Sequence, residues 1–189
     1  RKVDYANWEE YYKAEMVYGE NTATNTYSSK ESGGSWYVVG KSEYIVEDGL
    51  MLEEINYDYE NYSWTVDWKW NYQYSGTDLI AWQGYHPDNY GYLVMDMKGS
   101  YIYDGGNLTE YYSQYLNENN SWQSDYKEVF VFQDKKLQGW TGFLPNGSLW
   151  DRNEKADYSY DGDKVSGIEY FNWDETLSRW ETNPYYSIT

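Results

Sequence analysis

Apolar and polar residues alternate with a period of two over long stretches of the chain, as they do in β-strands that have one apolar and one polar face. The clearest stretch runs from residue 64 to residue 74, where Trp, Val or Tyr at every second position is separated by Thr65, Asp67, Lys69, Asn71 and Gln73. Weaker forms cover residues 122–132 and 150–160. No segment shows the period of a helix, so the pattern predicts an all-β protein.

The alternating stretches belong to an internal repeat. We number columns from a starting residue, column zero, in each copy: Trp8, Trp36, Trp64, Leu93, Trp122, Trp150 and Trp180. Column ten is apolar throughout: Tyr18, Val46, Tyr74, Tyr103, Phe132 and Tyr160. Column fifteen is also apolar: Ala23, Met51, Leu79, Leu108, Leu137 and Val165. The period is about 29 residues, since the steps between starts are 28, 28, 29, 29, 28 and 30 residues.

Turn residues lie between columns ten and fifteen at the same two positions of each copy. The strong pairs are Asp48-Gly49, Gly76-Thr77, Gly105-Gly106 and Gly162-Asp163, and the weaker ones are Glu20-Asn21 and Asp134-Lys135. Such pairs suit the two-residue turns of β-hairpins. Each copy therefore reads as one hairpin in which column ten pairs with column fifteen. Polar loops such as 30–35, 86–91, 117–121 and 145–148 join the hairpins.

The hairpins predict one antiparallel meander of about 12 to 14 strands, without an internal domain boundary, over residues 1–189. The hairpin units begin near residues 8, 36, 64, 93, 122 and 150, and a last strand starts from 180. A sheet this wide must curl, close or split. We expect a closed up-and-down β-barrel, because closure removes the sheet edges. An open, twisted sheet is the alternative.

Composition and charge narrow the classes of function that the protein can have. The 26 Tyr, 11 Trp and 4 Phe residues can build an aromatic core in a chain that has few aliphatic residues. A net charge of −18 repels phosphate backbones, so no nucleic acid is expected as a partner. No stretch approaches 18 apolar residues, and we expect a protein that does not span a membrane. The absence of cysteine does not fix the compartment, whereas the acidic Tyr/Trp/Asn/Gly-rich composition favours a secreted or cell-surface protein.

Two segments carry a family resemblance: Tyr101-Ile-Tyr-Asp-Gly-Gly-Asn-Leu108 and Tyr158-Ser-Tyr-Asp-Gly-Asp-Lys-Val165. They resemble tyrosine-aspartate (YD, RHS-like) repeats, in which Tyr-x-Tyr-Asp precedes a Gly/Asn turn and a Leu or Val. The chain also resembles small secreted bacterial domains of unknown function that form a porin-like, soluble β-barrel. The resemblance implies an exported bacterial β protein and brings no catalytic residue with it.

Catalytic chemistry has few candidates in the chain. His86 is the single histidine and no cysteine is present, which excludes a His-dependent triad and a multi-histidine zinc site. The Asp-Gly turns lack the ligand set of an EF-hand, so we expect no metal and no cofactor. A carboxylate pair, Glu128 and Glu154 on sequential up-strands, is the one candidate for a carbohydrate-active enzyme. Ion pairing with Arg152 would instead make these carboxylates structural.

An aromatic row is the predicted ligand site. Column eighteen holds Trp82, Tyr111 and Trp140 in three successive copies. If column fifteen faces the core, strict alternation places column eighteen on the outer face, and exposed apolar patches tend to mark interaction sites. The sequence therefore predicts a non-catalytic binding module for a glycan or a cell-surface protein. A structural or scaffolding repeat is the main alternative, and a carboxylate-dependent enzyme is the weaker one.

Overall fold

The structure is a computed structural model that describes residues 12–30 and 34–188, and the described residues form β-strands joined by turns and loops. The predicted start of the first hairpin at Trp8 lies outside the described residues. The chain divides into two compact units, the first made of residues 1–78 and 82–96 and the second of residues 79–81 and 97–189. The prediction of a single domain stays a prediction.

The described residues form fourteen strands. These follow one another in the sheet in chain order from β1 to β13, and β14 pairs with β12 beside β13. The first strands are β1 (Tyr12–Tyr18), β2 (Thr22–Ser29), β3 (Tyr37–Glu47), β4 (Leu50–Glu60), β5 (Ser63–Ser75), β6 (Asp78–Pro87) and β7 (Leu93–Asp104). The others are β8 (Asn107–Leu116), β9 (Trp122–Gln133), β10 (Lys136–Asn146), β11 (Leu149–Asp161), β12 (Lys164–Asp174), β13 (Arg179–Trp180) and β14 (Tyr186–Ile188). The all-β meander and its strand number are confirmed.

Barrel closure is wrong, and the alternative of an open sheet is right. Among the described residues, β1 pairs with β2 alone and β13 with β12 alone, so no ladder joins the first strand to the last ones. The last strands end the sheet instead, because Trp173 pairs with Trp180 and Tyr170 with Tyr186 along β12. These strands of two and three residues cover the edge of β12, one way in which proteins block pairing with other chains.

The hairpin turns pair column ten with column fifteen as predicted. The register joins Tyr18 to Ala23, Val46 to Met51, Tyr103 to Leu108, Phe132 to Leu137 and Tyr160 to Val165. Asp134 and Lys135 both have positive φ, 52° and 64°, so even this glycine-free pair adopts the type I′ turn.

The connections between hairpins explain the uneven repeat length. In the 28-residue copies that start at Trp36 and Trp122, two-residue turns link Glu60 to Ser63 and Asn146 to Leu149. In the 29-residue copies, three residues separate Asp88 from Tyr92 and Asn117 from Ser121. The side chains of Asp88 and Asn117 each accept two backbone N–H bonds across their loop. One extra loop residue therefore accounts for the longer step.

β-Bulges recur at two columns and set the faces of the sheet. Column sixteen carries one extra residue in four hairpins, at Leu52, Thr109, Gln138 and Ser166. Column three carries another, at Val39, Asp67, Asp125 and Asn153. Each bulge shifts the alternation by one residue, because two residues of one strand then oppose one residue of its partner. The alternation predicted for residues 64–74 is therefore broken at Asp67. Trp64 and Val66 lie on one face, and the aromatic side chains of Trp68, Trp70, Tyr72 and Tyr74 lie on the other.

We call the face that carries columns ten, fifteen and eighteen the front face. Large side chains there lie over small ones on neighbouring strands: a Cβ added to Gly84 would meet Trp70, and one added to Gly142 would meet the Tyr126 hydroxyl. Ala156 is fully buried in this layer. Aromatic side chains laid across glycines are a known way of stabilising sheets. The front face is thus packed by its own side chains.

The opposite face, which we call the lysine face, carries a lysine at column five of all six copies: Lys13, Lys41, Lys69, Lys98, Lys127 and Lys155. Most of these ammonium groups contact a carboxylate, as in Lys69–Glu53 at 2.5 Å and Lys127–Glu110 at 2.7 Å. Several also lie over the column-zero ring of the next copy, with Lys98 Nζ 4.1 Å from the Trp122 ring centroid. Column five thus gives each acidic copy one lysine whose ammonium group is held within the protein.

Candidate functional site

The predicted aromatic row lies on the other face from the one expected. Tyr111 pairs with Tyr101 and Trp140 with Phe130, which places column eighteen on the same front face as columns ten and fifteen. The bulge at column sixteen is the reason, because it inverts the alternation between columns fifteen and eighteen. Trp82 is 9% exposed, so its predicted exposure is also wrong. A role of these three residues in ligand binding stays a prediction.

The two candidate catalytic carboxylates do come together. Glu128 on β9 and Glu154 on β11 are the register partners of one residue, Gly142 on β10. The Tyr126 hydroxyl donates a 3.4 Å bond to Glu154. Burial, with a smaller contribution from the Glu154 charge, raises the pKa of Glu128. Arg152 instead stacks on Trp173, 5.0 Å from its ring centroid, so the ion pair considered for these carboxylates is not formed.

His86 is part of the fold rather than a lone loop residue. Its Nδ1 lies 2.8 Å from Asp96 Oδ2, and its ring centroid is 5.7 Å from that of Trp68. Within the described residues, no group of three or more His, Asp or Glu side chains is arranged to hold a metal ion. No helix in that part of the chain is long and apolar enough to cross a membrane.

A groove of about 470 Å³ lies on the front face of the first unit. Small and medium residues form its floor, because β3 contributes Gly40 and Ser42 and β4 contributes Asn56 and Asp58. Larger side chains form its walls, with Tyr27 on β2 at one side and Trp68 and Trp70 on β5 at the other. Three strand spacings separate the walls, or about 14 Å. We call this site the Tyr27–Trp70 groove.

The tryptophan wall is held flat by a glycine. Three adjacent atoms of the Trp70 six-membered ring lie 2.7, 3.1 and 3.2 Å from where a Cβ on Gly84 would stand. Such similar distances to neighbouring ring atoms indicate that the ring face, rather than its edge, lies over Gly84. The Trp68 ring is nearly parallel to it, at 12° and 5.8 Å between centroids. Buried Trp82 meets the Trp70 ring edge-on at 5.3 Å and fixes its position.

A hydrogen-bonded chain orders the floor. Ser42 Oγ donates to Asn56 Oδ1 at 2.6 Å, so its contact with the Tyr27 hydroxyl at 3.5 Å is one in which Tyr27 donates. Asn56 Nδ2 donates to Glu54 at 3.2 Å, and Glu54 also accepts from the Tyr72 hydroxyl. The chain crosses four strands and fixes the Asn56 amide, which keeps one N–H for a ligand.

Two carboxylates in the groove have no partner within the part of the chain that the structure describes. Asp67 is a column-three bulge residue, and the bulge turns its side chain toward the front face, where it lines the groove with Asp58. Burial, followed by the charge of Asp58, raises the pKa of Asp67. The equivalent bulge residue Asp125 accepts a bond from Ser113 at 3.1 Å. Among the described residues, neither Asp58 nor Asp67 makes a hydrogen bond or ion pair.

The sequence did not predict the groove, because the bulges decide which side chains share its face. With strict alternation, Trp64 and Trp68 share a face and Asp67 points away from both. The available sequence signal was the aspartate at column three of three successive copies, Asp67, Asp96 and Asp125.

The fold and its groove define the protein as an open antiparallel sheet of repeated β-hairpins with a concave aromatic and acidic site. No protein-family model matches the chain, and no curated protein matches it. The resemblance to YD repeats therefore gains no support. Of the resemblance to small bacterial domains of unknown function, the porin-like barrel is wrong because the sheet is open.

Solved structures do match. A protein of unknown function from Bacteroides fragilis NCTC 9343 is similar over 65% of this chain and 91% of its own, with a TM-score of 0.56 and 15% sequence identity. At that identity the likeness shows the fold alone. Matches with TM-scores of 0.34 and 0.32 are DUF3836 family proteins from Bacteroides vulgatus ATCC 8482 and Parabacteroides distasonis ATCC 8503. These are 15% and 14% identical, and each covers 65% of this chain and 96% and 87% of its own.

Proposed function

We propose that the protein is a non-catalytic binding module that takes an oligosaccharide in the Tyr27–Trp70 groove. The observation that carries the proposal is the paired indoles Trp68 and Trp70, nearly parallel beside a concave floor of Ser42, Asn56 and Asp58. Flat aromatic rings suit the apolar faces of sugar rings, and fixed amide, hydroxyl and carboxylate groups suit their hydroxyls. Concave sites that combine apolar walls with a few placed polar groups are typical of ligand pockets.

Preorganisation supports the same proposal. The Trp70 ring is already seated on Gly84, and Asn56 is already oriented by Ser42 and Glu54. A ligand would then lose little affinity to the ordering of these side chains. Surface export, which would bring the protein to extracellular glycans, is part of the proposal.

The test is an oligosaccharide panel followed by tryptophan fluorescence and calorimetry, with Trp68→Ala as the site variant. We expect Trp68→Ala to weaken binding at least ~10-fold, about 1.4 kcal/mol. Trp64→Ala is the matched control, because Trp64 lies in the same strand on the lysine face. It should leave affinity within twofold.

Three other outcomes would overturn the proposal. Loss of binding in Trp140→Ala rather than Trp68→Ala would return the site to the predicted aromatic row. Absence of binding across the panel would favour a scaffolding repeat. Hydrolysis of a panel member that is lost in Glu128→Gln, with the fold intact, would identify an enzyme at the Glu128–Glu154 pair.

A further inference from the structure

The groove contains uncompensated negative charge, which bears on the kind of sugar it takes. Asp58 and Asp67 both line it, and neither has a hydrogen-bond or ion-pair partner among the described residues. The other column-three aspartates differ, since Asp96 contacts His86 and Asp125 accepts from Ser113. In the groove, by contrast, both carboxylates are exposed and accessible to a ligand.

Lysine 41 does not neutralise the groove. Lys41 is among the residues that line the groove, but its Nζ lies on the lysine face, 2.5 Å from Glu43. The same ammonium lies 4.4 Å from the Tyr57 ring and 4.9 Å from the Trp64 ring. An amine between a carboxylate and two aromatic rings is therefore an arrangement that this chain already stabilises on its other face.

We infer that the oligosaccharide bound in the Tyr27–Trp70 groove carries free amino groups, with an ammonium held between the Asp58 and Asp67 carboxylates and the Trp68 ring. The inference rests on the proposed function and specifies its ligand class. An ammonium would contact two carboxylates at once, and an aromatic face adds a cation–π interaction. It would also relieve the repulsion between the two aspartates, which already raises the pKa of Asp67 beyond the effect of burial. The net charge of −18 attracts such a ligand at long range.

The experiment compares glucosamine oligomers with N-acetylglucosamine oligomers of equal length by calorimetry. Acetylation removes the charge and keeps the sugar ring, so the ratio of the two affinities isolates the amine. We expect the amine form to bind at least ~10-fold more tightly at low salt. The ratio should fall toward one between 20 and 500 mM NaCl, on the order of a tenfold loss, as the charges are screened.

Variants separate the charge effect from the sugar site. Asp58→Asn with Asp67→Asn should abolish the preference for the amine, so that the two oligomers bind this variant with similar affinity. Asp104→Asn with Asp161→Asn removes the same charge from exposed positions outside the groove and should preserve the preference. Trp68→Ala should weaken both oligomers.

Each remaining outcome has a definite meaning. Equal binding of both oligomers overturns this inference and leaves the oligosaccharide site standing. Absence of binding by either oligomer overturns the inference, and binding of other panel sugars then decides the fate of the proposed function. Tighter binding of trilysine than of the glucosamine oligomer, lost in Trp68→Ala, would assign the groove to a basic peptide and overturn both.

Discussion

At the scale of single residues, the smallest side chains determine where the largest ones lie. Gly84 receives the face of the Trp70 ring, and Gly142 lies beneath the Tyr126 hydroxyl. A glycine in a strand interior normally weakens the strand, because it has no side chain to pack. In this sheet the covering ring supplies the missing contacts, so the cost of the glycine is offset by the aromatic side chain above it.

Substitution of Gly84 should therefore be costly. We expect Gly84→Val to lower the free energy of unfolding by ~1–3 kcal/mol, because the added methyl groups displace the Trp70 ring. Urea unfolding followed by tryptophan fluorescence measures the change. Gly167→Ala is the control, since its Cβ would meet ordinary contacts of 3.4 Å and more, and its effect should stay within ~0.5 kcal/mol. Equal losses in the two variants would contradict the packing described for Trp70.

Glu128 provides a pH-dependent prediction. Its pKa is raised in the folded state, so the folded protein binds this proton more tightly than the unfolded chain. The free energy of unfolding therefore falls as pH rises from the unfolded value, about 4.3, through the folded pKa. We expect Glu128→Gln to stabilise the protein at pH 7 and to lose this advantage near pH 4.

Urea midpoints of wild type and Glu128→Gln between pH 4 and pH 8 measure this advantage. Glu169→Gln, at an exposed position, serves as the control for removal of one negative charge. An advantage of Glu128→Gln that is constant across the pH range would rule out the raised pKa as its cause.

At the scale of the element, a hairpin is defined by its turn and by the bulges that it carries. The turn sets the pairing of columns ten and fifteen, and the bulges at columns three and sixteen decide which side chains share a face. The first hairpin lacks the column-sixteen bulge. Its ladder runs from the Tyr18–Ala23 pair to the Tyr12–Ser29 pair without a shift in register. Its Tyr27 consequently reaches the front face one column early, where it forms a wall of the groove.

The turn at Asp134 and Lys135 is a point where the hairpin can be improved. Both residues have positive φ, which asparagine and glycine adopt more readily than aspartate and lysine. We expect Asp134→Asn with Lys135→Gly to raise the free energy of unfolding by ~0.5–1 kcal/mol. Ser75→Gly, in the adjoining strand position of another hairpin, should destabilise instead. Thermal or urea unfolding measures both changes, and a destabilised double variant would contradict the type I′ assignment.

The fold was largely predictable at this scale, and the site was not. Columns ten and fifteen gave the hairpin pairing, and the Gly- and Asn-containing pairs gave the turns. The bulge at column sixteen leaves no comparable mark, because its extra residue is of a different type in each copy: Leu52, Thr109, Gln138 and Ser166. The positions of Trp82, Tyr111 and Trp140 were therefore assigned to the wrong face, although their alignment in one column was correct.

At the scale of the whole molecule, charge is the dominant feature. A chain with a net charge of −18 repels itself in any compact state, and the lysine column offsets only part of that repulsion. Closure of the sheet could not be predicted, because hairpin patterns are the same in open and closed meanders. This open sheet differs from a closed one at the short strands β13 and β14, whose pairing with β12 ends the ladder.

Salt should accordingly stabilise the protein. We expect the urea midpoint at pH 7 to rise between 10 and 300 mM NaCl, since screening over a Debye length of about 30 Å falling to below 10 Å weakens the net repulsion more than the short ion pairs. Sucrose of equal osmolality is the control for general solvent effects. A midpoint that falls with salt would mean that the lysine ion pairs outweigh the self-repulsion.

Because the bulges recur at the same columns, the whole copy is the unit by which the chain can change its length. Removal of one residue from inside a strand would exchange the two faces from that point to the next bulge or turn. Removal of one whole copy, such as residues 93–121, joins a column-zero residue to the end of the preceding loop and leaves every remaining column on its own face. Gene segments of this size could therefore be gained or lost by recombination between copies without disturbing the groove formed by the second hairpin and its neighbours.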